Sequence, residues 1–271
     1  AEEGDYTLTP DKSDEVNGIS AYDASLALQH AAGSSTLSGH AFSAGDVNKS
    51  ADVNSMDAFY ILQKAADLIT LPFTGAGEIW SFDPASRSYT NLSADQAGQD
   101  FTGILLGDPS GNWASTATST LQGAGEDVTL SLPQVMVAEG GTVDVPLTVD
   151  AIQSGFTSLD LQVTYDPAVI SIQSVEKGAL AADWMMASNT EDPGLLLVAM
   201  AGSEAIQSTG ELLSIQVQAL GGEGSETDLT ITQADLEEGG ISCMDQDGYV
   251  SVVTEPEMDV QGGGQSIADG D

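Results

Sequence analysis

The sequence predicts a multidomain chain: a small α-helical module with a β-rich cap, followed by an all-β sandwich. Near the N-terminus, aligning Asp23 with Asp57 gives a repeat of 34 residues, and each copy continues into a helical pattern. Between about residues 127 and 253, short alternating segments are separated by Gly, Pro and Asp, as in two-sheet β folds. At 271 residues the chain is long enough for a core in each part.

The excess of acidic over basic residues argues against nucleic acids and anionic membranes as partners. The chain has 42 Asp and Glu against five Lys and Arg, for a net charge of −37. Five scattered cations cannot form the basic stripe that nucleic acids or anionic membranes require. Such a surface repels itself unless cations or salt screen it, which favours a saline or calcium-rich exterior. The five cations are Lys12, Lys49, Lys64, Arg87 and Lys177.

The location is predicted to be extracellular or at the cell surface. No apolar run approaches the roughly 18 residues of a membrane-spanning helix. The sequence opens at Ala1 without a signal peptide, which we interpret as a processed, secreted product. The single cysteine, Cys243, allows no internal disulfide.

A twelve-residue stretch, 46–57, has the pattern of an EF-hand loop. Side-chain oxygens stand at loop positions 1, 3, 5 and 12, position 7 offers a backbone carbonyl, and a helical pattern follows. Ala51 replaces the usual glycine at position 6, and an Asp replaces the usual Glu at position 12. The alternative is a polar surface turn, but hard oxygen donors at this spacing favour Ca²⁺. The predicted ligands are Asp46, Asn48, Ser50, Asp52 and Asp57.

The first copy of the repeat has a poorer loop. Counting back from Asp23 places Lys12 and Val16 where oxygen donors are needed. A shortened loop offers other donors, and a lengthened loop would begin at Asp11; we therefore expect a weaker site here, or none. The donors of the shortened loop are Glu15, Asn17, Ser20 and Asp23. The helices of the two copies are predicted at 23–32 and 57–68.

Residues 78–113 are predicted to form a β-rich cap that packs aromatic side chains against the helices. The alternative is an aromatic platform for sugars. Within this segment, Asp108, Ser110 and Asn112 repeat the start of a calcium loop, but no closing carboxylate follows them. The aromatic residues are Trp80, Phe82, Tyr89, Phe101 and Trp113.

The boundaries of the domains and of the sandwich strands follow from composition and from the alternation of apolar and polar residues. We expect a calcium module at 1–77, the cap at 78–113, a linker at 114–125, the sandwich at 126–254 and an acidic, Gly-rich tail at 255–271. The sandwich strands are predicted at 128–132, 142–149, 158–165, 170–175, 195–200, 211–219, 229–233 and 248–253.

Residues 11–69 resemble a dockerin, a module in which two calcium loops each lead into a helix. The similarity lies in residues 17–20, in Asp23 and Ala24, and in the loop at 46–57. It implies an EF-hand-type module that binds Ca²⁺. In dockerins the two residues before the last loop ligand face the partner domain, which implies partner contacts at Ala21, Tyr22, Ser55 and Met56.

Residues 127–253 resemble a cohesin, the β-sandwich that dockerins bind. The similarity lies in the strand and turn at 138–146, in Tyr165-Asp166-Pro167, in residues 175–178 and in the glycine-led strand at 210–215. It implies a cohesin-like jelly-roll sandwich whose partners carry dockerins.

No enzyme is predicted. His30 and His40 both lie in the helical module, where structural roles are expected, and Cys243 has no neighbouring cation in sequence to lower its pKa. Carboxylates are too abundant for any pair to indicate glycosidase chemistry. Glycines 262–264 are not followed by the helix or lysine of a phosphate-binding loop.

The two resemblances together imply self-assembly. A dockerin-like module on one copy can bind the cohesin-like module of the next, and such head-to-tail contact gives filaments unless the rotation closes a ring. The expected partners are copies of the chain itself, or other proteins that carry a dockerin or a cohesin. The alternatives are an adaptor in a cellulosome-like complex, a carbohydrate-binding module, and docking within one chain.

Overall fold

The structure is a computed structural model, and it describes residues 4–113, 128–153 and 155–254. The predicted linker at 114–125 and the predicted tail at 255–271 lie outside the described residues.

The helical module contains the two predicted helices and one more. Helix α1 spans Ala21–Ala32 and helix α3 spans Ser55–Ala65, so each begins two residues before its predicted start. Between them lies the short helix α2, Gly39–Gly45, whose seven residues are too few to show a periodic pattern in sequence.

Capping boxes fix where α1 and α3 begin. The Ser20 hydroxyl caps α1 while Asp23, three residues on, accepts a hydrogen bond from the Ser20 backbone N–H. Asn54 and Asp57 form the same arrangement at the start of α3. The residue at loop position 12 is therefore also the third residue of each helix, which couples the loop geometry to the helix start.

The N-terminal strand belongs to the cap. Strand β1 (Gly4–Leu8) pairs antiparallel with β3 (Arg87–Leu92), and β2 (Trp80–Asp83) pairs antiparallel with β4 (Thr102–Leu105). Because β1 precedes the helices in sequence and β3 follows them, the helical module and the cap share a sheet.

Eleven strands of the described residues form the sandwich, in two sheets. The eight predicted strands are present, and three short ones were not predicted: β6, β10 and β14. One sheet has the order β10-β11-β8-β13-β15-β6 and the other β14-β5-β7-β12-β9. The bounds are β5 Val128–Ser131, β6 Gln134–Ala138, β7 Thr142–Ile152, β8 Phe156–Thr164, β9 Ile170–Lys177, β10 Met185–Asn189, β11 Leu195–Ile206, β12 Gly210–Ala219, β13 Glu226–Leu236, β14 Cys243–Gln246 and β15 Gly248–Val253.

The six-stranded sheet is buried on both faces around β11. Val198 and Met200 point into the core between the two sheets, where most of the large buried side chains lie. Ala199 and Ala201 alternate with them and belong to a second apolar cluster, together with residues of α1 and α3. The outer face of this sheet is therefore covered by the helical module of the same chain.

Specific helices and strands make the contact between the helical module and the sandwich. Helix α1 packs across β11 and β8, and α3 packs against β10 and β11. Alanines on both sides, such as Ala24 and Ala199, are fully buried and allow the helix backbones to approach the sheet closely. The two halves of the chain are thus docked on each other.

Substitution of Gly202 tests how closely the core of the sandwich is packed. A Cβ at this position on β11 would overlap the indole ring of Trp184, which packs edge-to-face on Phe156. We predict that Gly202→Ala lowers the free energy of unfolding by roughly 1–3 kcal/mol, the usual cost of overpacking. Gly222→Ala is the matched control, because nothing lies within 4 Å of its added Cβ. Urea unfolding of both variants measures the difference, and equal stabilities would contradict the packing described.

Candidate functional site

The loop at 46–57 is closed by two buried carboxylates. Asp46 accepts hydrogen bonds from the backbone N–H groups of Ser50 (2.8 Å) and Ala51 (2.9 Å), four and five residues further on. Asp57 accepts from the backbone N–H of Asn48 (3.3 Å) and is fully buried. The loop therefore folds around its first and last carboxylates, as an EF-hand loop does.

The same arrangement occurs a second time, but it is built from two distant segments of chain. Asp108 accepts from the backbone N–H groups of Asn112 (3.3 Å) and Trp113 (3.2 Å), again four and five residues on. The backbone N–H of Ser110, two residues after Asp108, donates to Asp23 (3.0 Å), as that of Asn48 donates to Asp57. Asp23 therefore closes a loop that begins 85 residues after it in sequence.

The segment that begins at Asp108 supplies the missing start of the loop in the first copy of the repeat. The half-motif at 108–112 lacked a closing carboxylate, and the half-motif ending at Asp23 lacked a start. Glycine precedes the first aspartate of both loops, at Gly45 and Gly107, and the backbone N–H of Gly107 donates to the carbonyl of Ala44 (2.8 Å). The sequence shows both halves, but a prediction that assumes continuous loops does not join them.

The residues proposed for a shortened first loop lie in different places. Glu15 forms an ion pair with Lys12. Ser20 and Asp23 lie at the start of α1, at the closing end of the split loop. Gly18 adjoins the other half: a Cβ built on it would lie 3.1 Å from the side-chain oxygen of Asn112. The segment through Asn17 and Gly18 therefore leads into the loop.

Two tryptophans hold the segments of the split loop together. The indole N–H of Trp80 donates to the carbonyl of Asp14 (3.0 Å), and that of Trp113 donates to the carbonyl of Glu15 (2.6 Å). The two rings pack edge-to-face at 5.1 Å, and the Lys12 ammonium lies 5.3–5.4 Å from both ring centres. Trp80 is only 4% exposed, so its face is not available as a sugar-binding platform.

Three carboxylates meet at the split loop, and one of them comes from the sandwich. Glu238 lies in the single-turn 3₁₀ segment Glu237–Gly239 that follows β13. Its Oε1 accepts from the hydroxyls of Ser20 (2.7 Å) and Ser110 (3.3 Å). Burial raises the pKa of Asp23 well above its ordinary value, and the charges of Glu238 and Asp108 raise it further. Burial also raises the pKa values of Asp108 and Glu238.

None of the five Lys and Arg side chains neutralises these carboxylates. Lys12, Lys49 and Lys64 form ion pairs elsewhere, with Asp14 and Glu15, Glu78, and Asp67 respectively. Arg87 donates to the carbonyl of Asp100, and Lys177 donates to those of Ala182 and Trp184. All five lie in the described residues, so the carboxylates of the split loop have no ion-pair partner among the Lys and Arg side chains there.

The donor set of both loops suits a hard cation. Within the described ranges, no three His, Cys, Asp or Glu side chains are arranged to hold a metal ion by themselves. An ion would therefore need the mixed donors of an EF-hand: carboxylates, an amide, a hydroxyl and a backbone carbonyl. The loop at 46–57 has these donors in sequence order, and the split loop has Asp108, Ser110, Asn112 and Asp23 in the corresponding places. The residues fit Ca²⁺ in both loops.

Polar contacts join the helical module to the sandwich at both ends. Asp160 of β8 accepts from the backbone N–H of Ala21, the first residue of α1 (3.0 and 3.2 Å to its two oxygens). The hydroxyls of Thr157 and Ser25 lie 3.1 Å apart. At the far end, the Asn189 amide donates to the carbonyl of Ala66, the C-cap of α3 (3.1 Å). A carboxylate at a helix N-terminus also interacts favourably with the helix dipole.

Only one of the two expected helix starts faces the sandwich. Ala21 is fully buried in the contact, and Tyr22 is partly buried beside Glu237 and Glu238. Ser55 is exposed, and Met56 is 50% exposed. The start of α1 therefore docks within this chain, whereas the start of α3 is free of the sandwich.

The candidate catalytic side chains have structural partners. His30 accepts a hydrogen bond from the backbone N–H of Leu37 (3.0 Å) and packs edge-to-face on Phe42. His40 lies 2.9 Å from Asp83 on the surface. Burial raises the pKa of the Cys243 thiol to about 11, which keeps it protonated near neutral pH. None of these groups forms a nucleophile–base pair with another.

Comparison with known proteins identifies the sandwich. Residues 128–248 match the family model of the cohesin domain. Similar solved structures include a non-cellulosomal cohesin from the archaeon Archaeoglobus fulgidus, with 19% identity over 48% of this chain and 94% of that one, at a TM-score of 0.43. A cohesin–dockerin complex from Clostridium thermocellum has 17% identity over 50% of this chain and 99% of the other, at a TM-score of 0.45. No curated protein matches the chain.

The sandwich is thus cohesin-like, and domains of this family are non-catalytic interaction domains. The prediction of a cohesin-like sandwich at the C-terminal side of the chain is confirmed. None of the helices in the described parts of the chain is long and apolar enough to cross a membrane.

Asp160 makes the docked state depend on pH. Burial, together with the charges of Asp235 and Glu238, raises the pKa of Asp160 from 3.8 to about 7, although the hydrogen bond from the Ala21 N–H acts in the opposite direction. On an undocked, solvated sheet face the pKa would return towards its ordinary value. The docked state therefore holds the proton more tightly, so its stability is greatest at low pH and falls as pH rises from about 4 to about 7. A shift of this size corresponds to roughly 4 kcal/mol as an upper value.

We predict that Asp160→Asn removes this dependence and keeps an acceptor for the Ala21 N–H. The melting temperature of the variant should exceed that of the wild type at pH 8 at fixed calcium concentration. The difference should shrink or reverse at pH 4.5. Thermal unfolding at both pH values measures it, and a constant difference would show that Asp160 does not titrate in the interface.

Proposed function

We propose that the chain is a secreted structural protein that links copies of itself head-to-tail, through contact between the helical module of one copy and the cohesin-like sandwich of the next. The observation that carries this proposal is the docked arrangement itself: one chain contains both a helical module and a sheet face that bury each other. The contact that closes one chain can equally join two chains, as in domain swapping.

We interpret the helical module as dockerin-like. The support is the pair of loops that each lead into a capped helix, and the docking of α1 on a cohesin-like sheet. Several solved cohesins are in complex with dockerins, which favours the same kind of contact here. On this view the module recognises its sandwich through the start of α1.

Calcium would order the module. One ion would be held by Asp46, Asn48, Ser50, Asp57 and the carbonyl of Asp52, and a second by the residues of the split loop. Each ion neutralises buried carboxylates and fixes the N-terminus of a helix. Since α1 and the split loop meet the sandwich, the docking surface depends on that order.

The balance between closed chains and linked chains depends on concentration. Residues 114–127 connect the two partners along the chain, and short linkers in general give an effective concentration of about millimolar. Free copies compete only when the protein is itself concentrated, for example when held at a cell surface. Because a head-to-tail contact does not close on itself, linked copies extend into filaments.

The charge of −37 favours the same setting. Linked copies bring these charges together, which costs free energy unless cations screen them. A saline, calcium-containing exterior supplies both screening and specific ions, and we place the protein outside the cell or at its surface for this reason.

A second candidate function is an adaptor in a cellulosome-like complex. The cohesin family match favours it, because cohesins are interaction domains for dockerin-bearing proteins. In that case the sandwich would bind a dockerin of another protein. A pull-down with the full chain that recovers dockerin-bearing proteins and no copies of the chain would favour the adaptor over the filament.

A pair of complementary variants tests the exchange between copies. Ser25→Glu spoils the helical side of the contact, and Ala199→Glu spoils the sheet side, because each buries an unpaired carboxylate in a fully buried position. Each variant alone should be an open monomer. Mixed with calcium at high micromolar concentration, the intact module of one and the intact sandwich of the other should form a 1:1 dimer, and a chelator should dissolve it.

The mass of each sample by light scattering decides the outcome. Exposed substitutions Ser35→Glu and Gln173→Glu serve as controls, because they add the same charge outside the contact. The control mixture should behave as the wild type does, which we expect to form filaments at high concentration by electron microscopy. A mixture of the two interface variants that stays monomeric with calcium would exclude linkage between copies.

A further inference from the structure

We propose that strand β6 of the sandwich pairs antiparallel with β6 of a second copy of the chain, about a two-fold axis at Met136. The six-stranded sheet of one sandwich then continues into the sheet of the next. This contact uses neither the helical module nor the calcium loops, so it is independent of the head-to-tail contact proposed above.

Strand β6 has one paired edge and one free edge, the side that faces away from β15. Among the described strands, β6 pairs only with β15, and the pairing is parallel. Just outside the strand, the carbonyl of Pro133 accepts a backbone N–H of β15 (3.2 Å), and the N–H of Glu139 donates to a carbonyl of β15 (3.1 Å). Because backbone groups of successive residues point to opposite edges of a strand, the odd-numbered residues face β15. The N–H and C=O groups of Gln134 and Met136 therefore face the free edge.

The exposed side chains of β6 carry no charge. The strand reads QVMVA, and the side chains of Gln134 and Met136 are exposed. Met136 is 73% exposed, the largest fraction among the large apolar side chains of the described residues. Val137, by contrast, is 3% exposed and belongs to the sandwich core. The core therefore holds β6 in place, while its free edge and the Met136 side chain face solvent.

The other three edge strands of the two sandwich sheets are protected from such pairing. Strand β9 carries the exposed charges of Glu176 and Lys177, and β14 carries that of Asp245. Strand β10 is uncharged, but each of its residues is buried or partly buried. Charges and coverage are the usual means by which proteins prevent edge-to-edge association. Strand β6 has neither, so it is the edge at which a further strand can add.

The free edge of β6 is complementary to itself. A two-fold axis at Met136 places this residue opposite its own copy and places Gln134 opposite Ala138. All three residues present their N–H and C=O groups to the free edge, so these are the hydrogen-bonded pairs of an antiparallel ladder. The carbonyl of Ala138 also accepts the N–H of Gly141 (2.8 Å), and a carbonyl oxygen has a second lone pair for the ladder. The two exposed Met136 side chains then cover each other, which identifies a second copy of the chain as the partner.

Charge determines the conditions under which the pairing forms. Each copy carries a net charge of −37, so two copies repel each other unless salt screens them. The screening length falls from about 10 Å in 0.1 M salt to about 3 Å in 1 M salt. Pairing through β6 should therefore strengthen as the salt concentration rises. The contact is small, so a single pair of copies should associate weakly.

A cysteine at position 136 traps the pairing. The residues of a hydrogen-bonded antiparallel pair have Cα atoms about 5.5 Å apart, which lies within the range of a disulfide. In a Cys243→Ser background, Met136→Cys should form a covalent dimer with a mild oxidant in high salt, as measured on non-reducing gels. Leu8→Cys in the same background is the control, because Leu8 is also an exposed apolar residue (49%) on a strand but lies outside the sandwich. Equal rates of dimer formation by the two variants would overturn the proposal.

A charge at the axis should prevent the pairing. Met136→Glu should lower the association constant of the full chain about tenfold relative to Leu8→Glu, because it replaces an apolar cross-strand pair with two like charges. Sedimentation in high salt measures both constants, and circular dichroism checks that each variant is folded. Both variants retain the surfaces of the head-to-tail contact, so the difference between them reports on β6 alone. Equal association constants would overturn the pairing through β6 and leave the proposed function standing.

Discussion

The structure depends on the burial of Asp23. This carboxylate is fully buried, caps α1 through Ser20, and accepts the backbone N–H of Ser110 from a segment 87 residues away. A buried carboxylate is costly unless hydrogen bonds and an opposite charge compensate it. The chain supplies hydrogen bonds to Asp23 but no Lys or Arg side chain, and burial raises the pKa of Asp23 well above its ordinary value. The helix start, the split loop and Glu238 all meet at this one group.

The same constraint links the two halves of the molecule. The helical module buries alanines of α1 against Ala199 and Ala201, whose neighbours on β11 point into the sandwich core. Small side chains on both sides bring the start of α1 close enough for Asp160 to accept the Ala21 N–H. The apolar contact therefore sets the distance between α1 and the sheet, and the burial of Asp160 at its edge makes the stability of the contact depend on pH.

Much of this could be predicted from local sequence pattern, and the rest depended on contacts between distant segments. The helices, the loop at 46–57 and eight sandwich strands each follow from periodicity or ligand spacing within one stretch. The strands β6, β10 and β14 were not predicted because their sequences, QVMVA, MMASN and CMDQ, do not alternate between apolar and polar residues. The split loop could not be read continuously, since Asp23 precedes Asp108. The sequence contains the beginning of a calcium loop at 108–112 without a closing carboxylate, and a closing carboxylate at Asp23 without a beginning. The dipeptide Gly-Asp opens both loops. Glu238 carried no signal, because acidic residues are abundant.

We expect two distant segments, one ending at Asp23 and one beginning at Asp108, to form one calcium loop against the sandwich. The most direct measurement is the anomalous diffraction of crystals grown with a lanthanide in place of calcium. We expect two ions in each chain, one enclosed by residues 46–57 and one enclosed by Asp23 and by residues 108–112. A second ion held by Glu15 and Asn17, with residues 108–112 remote from it, would contradict the claim.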